Sequence, residues 1–280
     1  MLRLLQIEYI KLKNSKASKI LIITYFVLLT SISLISLVKF DYSWFQLDVA
    51  KQGIFNFPYI WHFNSWFMGW FKIFLLLVVV SMVTTEYSNK TLKQNLIDGL
   101  SKKEFILSKF LTVTVFALLS TVFLFLISLI QGFMFSDITE FKLVFSDLEY
   151  LLAFFVKLVG FFSFGLFLGV LVKRSAFALG ALGVWAIIES ISYAVMRWQL
   201  FPKTDVYKQV SQFFPLQAIS NLIEQPITRF KAVKSLAKQG NATEILNFDY
   251  AIHWYQIAIV LVWIFIFIFG AYKLILKRDL

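Results

Sequence analysis

Six stretches of this chain run on with almost no charge, at 20–38, 66–84, 109–134, 150–172, 175–196 and 254–276. Each is close to the roughly 20 residues that an α-helix needs to cross the hydrocarbon core of a bilayer, so each predicts a membrane span. Ahead of the first, residues 2–16 repeat with helical period. Leu2, Leu5, Tyr9 and Leu12 share a stripe, Arg3, Glu8, Lys11 and Lys13 lie mostly elsewhere, and Leu4, Ile7 and Ile10 fall off the stripe. The pattern predicts an amphipathic interfacial helix over 1–18, serving as a membrane-surface anchor or a protein-docking element. A basic leader before an apolar run resembles a signal peptide. This run is as long as a span and no small-residue cleavage site follows it, so it is expected to stay uncleaved.

The segments between the apolar runs are patterned too. In 86–105, Ser88 or Asn89 can cap a short helix, Leu92 and Leu96 share one face, and Gly99 suits the left-handed residue that ends it. Ser101 and Glu104 then have capping-box spacing at the head of a helix that runs through Lys109 into the third span. The result is a short helix held between two spans, a geometry able to pass a push from a partner into the bilayer. In the long segment 197–253, Phe213-Phe214-Pro215 introduces Leu216, Ile219, Leu222 and Ile223 at helical spacing up to Pro226. This predicts a short re-entrant or interfacial helix, followed by a basic helix around 229–238 that stops at Gly240.

Composition agrees with the pattern. Of the 280 residues 59% are hydrophobic and 15% charged, with a mean hydropathy of +0.77, too few charges to coat a soluble domain of this length. The fold class is therefore an all-α membrane protein with six transmembrane helices, read as one transmembrane domain over 1–280. The net charge of +11 does not point to nucleic acid, because the cations sort by loop. Arg3, Lys11, Lys13, Lys16, Lys19, Lys90, Lys93, Lys102, Lys103, Lys109, Lys173, Arg174, Lys273, Lys277 and Arg278 fall on one side, against Lys39, Lys51 and Lys142 in the short loops of the other. The basic side is expected to be cytoplasmic, with both termini inside. The seven cations of 197–253 run against this, in a loop near the length where the charge rule stops applying. Trp44, Trp61, Trp66, Trp70, Trp198, Trp254 and Tyr255 flank the spans as interfacial anchors would.

Little catalytic chemistry is on offer. Without cysteine, and with only His62 and His253 far apart in sequence, no metal cluster is predicted. No G-x-x-x-x-G-K-[ST] phosphate loop occurs, so energy from ATP would have to come through another subunit. Ionisable residues inside predicted spans are Lys72, Lys157 and Glu189. Lys157 and Glu189 reach similar depth on either side of the turn at Arg174, which allows an ion pair, either a packing pair or the lining of a path. Lys72 could compete for Glu189 or snorkel outward. Gly165, Gly169, Ala176, Gly180 and Gly183 allow close approach around the fourth and fifth spans.

The amphipathic leader, the run Glu86, Asn89, Thr91, Leu92, Leu96, Gly99, Leu100, Ser101, Lys102 between spans two and three, and the long segment before the last span together resemble the ABC-2 family of exporter permeases. The resemblance covers essentially the whole chain, although Lys90 stands where the family often has glycine. It implies a type V exporter-like fold in which the leader, with Leu5, Tyr9 and Leu12, is a connecting helix. The loop helix would be a coupling helix contacting an ABC ATPase subunit, and the segment 197–253 would carry external helices. It further implies no cofactor on this chain itself, ATP and Mg on the ATPase, a second copy or a related permease as partner, membrane lipid around it, and a bacterial inner membrane as its site. Competing readings from the residues are an ion-coupled secondary transporter using Glu189 and Lys157, and an intramembrane enzyme. Neither histidine shares a span with a catalytic partner, and no inverted repeat is visible.

Overall fold

Several helices in this chain are bounded by charge, glycine or proline, as Tyr59–Met68 is by Pro58 and Gly69 and Thr91–Ile97 by Lys90 and Asp98. The computed structural model describes residues 2–35, 39–42, 45–48, 52–137, 140–202, 204–230, 233–235 and 249–277. The amphipathic leader forms α1, Leu2–Asn14, and after Ser15 the chain continues as α2, Lys16–Ile35. Helix α2 covers the first predicted span up to Ile35, and 36–38 lie outside the described residues. An antiparallel hairpin follows, β1 Lys39–Tyr42 with β2 Phe45–Asp48, pairing Lys39 with Asp48 and Tyr42 with Phe45. Its four-residue strands are too short for the alternation that would have predicted them.

Among the described residues, five helical stretches are long and apolar enough to cross a membrane: Tyr59–Ser88, Lys102–Phe135, Phe141–Val172, Ser175–Leu200 and Trp254–Leu276. They match the second to sixth apolar runs. The first comprises α3 Tyr59–Met68, a 3-10 turn at Gly69–Phe71 and α4 Lys72–Ser88. Next come the short α5, Thr91–Ile97, and α6, Lys102–Phe135. At 34 residues, α6 is about 51 Å long at 1.5 Å per residue, against a hydrocarbon core of about 30 Å, so its ends project. The one-turn α7, Phe141–Val144, leads into α8, Glu149–Val172, and the tight turn at Lys173 leads into α9, Ser175–Val195, which continues as a π-helical turn to Leu200. Two short helices, α10 Val206–Ser211 and α11 Pro215–Asn221, precede the last span, α12 Trp254–Leu276.

Helix α8 is the axis of the bundle, packed on α4, α6, α9 and α12 and buried along most of its length. Small residues permit this. A Cβ on Gly165 would come within 2.2 Å of the Leu76 side chain of α4, and one on Gly160 within 2.9 Å of Val260 on α12. The glycines of α9 are different, since nothing lies within 4 Å of the Cβ position of Gly180 or Gly183, and Val184, Trp185, Ile187, Ile188 and Ile191 are exposed beside them. Polar groups inside the bundle are mostly satisfied locally. Thr84, Thr112 and Ser120 each donate to the carbonyl four residues back, and Asn64 of α3 donates to Ser128 Oγ and Gln131 Oε1 of α6, both at 2.9 Å.

Two expectations change. Helix α1 turns Leu4 and Glu8 into the body and leaves Leu2 and Tyr9 exposed, so its buried face is not the predicted stripe, of which Leu12 packs inward and Leu5 is half-buried. Trp61 is not an interfacial anchor: fully buried, it stacks on Phe125 at 5.5 Å and donates to the Val144 carbonyl, because the span begins at Tyr59. Trp70, Trp198 and Trp254 are exposed. The helix expected after Pro215 is present as α11, with proline at its first turn. A 3-10 turn, Ile227–Arg229, leads into the stretch where the basic helix was expected; within 229–238, residues 233–235 are helical, and 231–232 and 236–238 lie outside the described residues.

Candidate functional site

At the end of the bundle that carries α1 and α5, four elements meet around one lysine. Lys109, two turns inside α6, is wholly buried. Its Nζ donates to Glu8 Oε2 of α1 at 2.7 Å and to Glu86 Oε1 at the end of α4, and lies 5.2 Å from the Phe105 ring centroid. Ser108 Oγ donates to Glu8 Oε1 at 3.2 Å, Lys11 Nζ reaches Glu86 Oε1 at 3.0 Å and Glu8 Oε1 at 3.7 Å, and Asn95 of α5 donates to Glu86 Oε2 at 3.1 Å. Two carboxylates and two ammonium groups thus balance in charge, and most of their hydrogen-bonding capacity is used internally. This is the condition under which ions are tolerated away from water. Every bond in the cluster crosses between elements except the pair Glu8 to Lys11, and that of Asn95 ties α5 to the end of α4.

The loop built on this cluster is tightly specified. Glu86 also accepts from Thr91 Oγ1 through its carbonyl, at 3.5 Å. Neither Ser88 nor Asn89 caps α5. Asn89 still belongs to the last turn of α4, donating to the Thr85 carbonyl, and the residue before α5 is Lys90 at φ +57°, with no side-chain cap. That left-handed conformation is one that glycine adopts freely and L-residues such as lysine adopt at a cost. At the other end Gly99, at φ +97°, closes a Schellman motif: its N–H donates to the Leu96 carbonyl at 3.2 Å, and that of Leu100 to Asn95 at 2.9 Å. The capping box then forms in full, with Glu104 N–H donating to Ser101 Oγ at 3.1 Å and Ser101 N–H to Glu104 Oε2 at 2.9 Å.

Of the residues singled out in this loop, Leu92 is buried and Leu96 and Leu100 pack on the core, so these apolar residues hold α5 to the bundle. The outward face offers Lys90, Lys93 and Ile97, the last 70% exposed. Lys102 donates to the Leu276 carbonyl at 3.4 Å and Lys173 lies 5.7 Å from the Tyr87 ring, so the ends of α12 and α8 come to the same end of the molecule. The segments that carry most of the cations are therefore gathered together. Sequence reasoning missed Glu8 and Lys109 as partners. The available signal was depth, because Lys109 lies two turns past the capping box on the face of Phe105 and Thr112, with Glu8 spaced from Leu4 and Leu12 to face inward.

The intramembrane charges do not pair as expected. Glu189 Oε1 accepts from Trp185 Nε1 at 2.6 Å and from Leu216 N–H at 3.1 Å, and Oε2 from Gln217 N–H at 3.0 Å. Lys157 Nζ donates to the Ser220 carbonyl at 3.1 Å. Both therefore serve α11, the carboxylate at its N-terminal turn and the ammonium at its C-terminal end. Free N–H and C=O groups favour those signs of charge there. Lys72 lies against Phe161, 4.4 Å from its centroid, rather than beside Glu189. His62 is buried with Nε2 2.7 Å from the Glu224 carbonyl and its ring stacked on Tyr150.

Long apolar helices around a central span, with a short helix clamped at one end, describe a polytopic membrane protein. The sequence profile described as ABC-2 family transporter protein matches residues 4–276. The chain belongs to that family: it is a multi-pass ABC-2 type permease, of a family whose ATPase generally resides on a separate subunit. No curated protein matches the chain.

Proposed function

We propose that this chain is the membrane-spanning subunit of an ABC exporter in a bacterial inner (cytoplasmic) membrane, moving substrate outward. A separate ATPase subunit, carrying the ATP and Mg, docks on α5 and drives it. Helix α2 is then the first of six spans, and both termini are cytoplasmic together with the gathered cations. The observation that carries the reading is the buried cluster of Glu8, Lys109 and Glu86. It joins α1, the end of α4, α5 and the head of α6, so a force applied at the exposed Ile97 reaches two long helices without being absorbed in a slack loop. Helix α1 acts as the connecting helix and α5 as the coupling helix. The open face of α9, with room at Gly180 and Gly183, supports pairing with a second copy or a related permease. Glu189 and Lys157, which an ion-coupled transporter would need free, are both committed to α11.

Affinity-isolated protein is expected to bring down a nucleotide-binding subunit with ATPase activity. Ile97→Asp alters only an exposed side chain, so it should abolish that association while the unfolding temperature of the permease stays unchanged. Isolation without any ATPase, together with transport driven by an ion gradient, would overturn the proposal.

A further inference from the structure

Between α6 and α12, at the α5 end, lies a groove of about 220 Å³, its walls including Ile106, Phe110, Phe265, Phe269 and Tyr272, with Lys103 its one charged side chain. It opens on the outside of the bundle, where Phe265 and Phe269 are exposed. Cations crowd its mouth. Lys273 Nζ lies 5.2 Å from the centroid of Phe269, itself a wall of the groove, Lys102 reaches the last turn of α12, and Lys277 follows it. The acid nearest in sequence, Glu104, is turned away to Arg3 and the Ser101 amide. We propose that this groove is a binding site for an anionic phospholipid, one acyl chain lying along α6 and α12 and the phosphate held by Lys103 and Lys273.

The shape and charge select that occupant. The groove's apolar length suits a hydrocarbon chain, and basic residues between helices at a membrane surface bind anionic headgroups. A second copy of this chain is the poorer fit, since its own basic segments lie at the same end and would meet these lysines with like charge. Its exposed faces on α2 and α9 carry no exposed acid to answer them. The lipid would splint α6 to α12 just beyond the capping box. The site rests on membrane residence alone and not on the ATPase reading, so the two can fail separately.

Native mass spectrometry of the delipidated full-length protein, titrated with phosphatidylglycerol or phosphatidylcholine, tests it. One phosphatidylglycerol per chain is expected to bind at least tenfold more tightly than phosphatidylcholine. Lys103→Gln with Lys273→Gln, both exposed or half-exposed positions, should erase that preference without changing phosphatidylcholine retention, and Ile106→Trp, which fills the groove, should weaken both lipids. Equal retention of the two lipids by the unaltered protein overturns the proposal, as does an undiminished preference in the lysine variant. A full complement of lipid in a folded Ile106→Trp variant overturns the acyl-chain placement.

Discussion

At the α5 end of the bundle Lys109 is held by the carboxylates of Glu8 and Glu86, side chain to side chain across three helices. Toward the other end Lys157 and Glu189 are also buried, yet the described residues show no ion pair between them. They end instead on the backbone of α11. The contrast teaches what each region can do. A charge answered by another charge makes both partners indispensable, because removing one strands the other in low dielectric. A charge answered by backbone dipoles tolerates loss better, because the helix end it leaves can be satisfied in other ways. The first arrangement clamps separate elements into one body, and the second seats a single short helix.

The largest effect should therefore come from Lys109→Met, which leaves Glu8 and Glu86 facing each other with only Lys11 between them and solvent. Losing one partner of a buried ion pair costs about 3–5 kcal/mol, expected as a marked fall in unfolding temperature in detergent. Adding Glu86→Gln to that variant removes one stranded charge and should restore part of the loss. If Lys109→Met unfolds like the unaltered protein, the cluster does not clamp the elements and the contrast collapses.

Next is Glu189→Ala. It removes the acceptor of the Leu216 and Gln217 amides, and hydrogen bonds to a charged group contribute about 1.5–3 kcal/mol each, offset in part by relief of carboxylate desolvation. Hydrogen exchange at those two amides should accelerate at least about tenfold while α5 exchanges as before. Acceleration at both ends would mean that the two regions are one cooperative unit rather than a clamp and a seat.

Much of this was legible beforehand because the physics involved is local. Span length for the second to sixth apolar runs, the capping box at Ser101 and Glu104, and the left-handed Gly99 each depend on neighbours in sequence, and each is found where the residues put it. What sequence could not supply was partnership at long range. Glu8 and Lys109 are separated by 101 positions, and nothing in either segment says which face of α1 meets α6. The same limit misled the pairing of Lys157 with Glu189: depth along the two spans was a sound guide, but α11 came back into the bundle and took both. Lys90 shows a third kind of limit, in which the tertiary position of α5 imposes a left-handed residue that the local sequence does not favour.

The smallest effect is expected from Lys157→Met, and it is the most direct test of the contrast, since the same substitution is made at two buried lysines. Methionine fills a similar volume with a flexible apolar chain. The variant loses one hydrogen bond to the Ser220 carbonyl, at 3.1 Å, but no longer holds an ammonium group out of water, and no carboxylate is left stranded within hydrogen-bonding reach. The two terms oppose each other, so the net change should stay within about 1 kcal/mol, with an unfolding temperature close to that of the unaltered protein and exchange altered only around Ser220. A loss as large as that of Lys109→Met would show that Lys157 has a charged partner after all, and Glu224 of the segment beyond α11 would be the first to test by pairing Lys157→Met with Glu224→Gln.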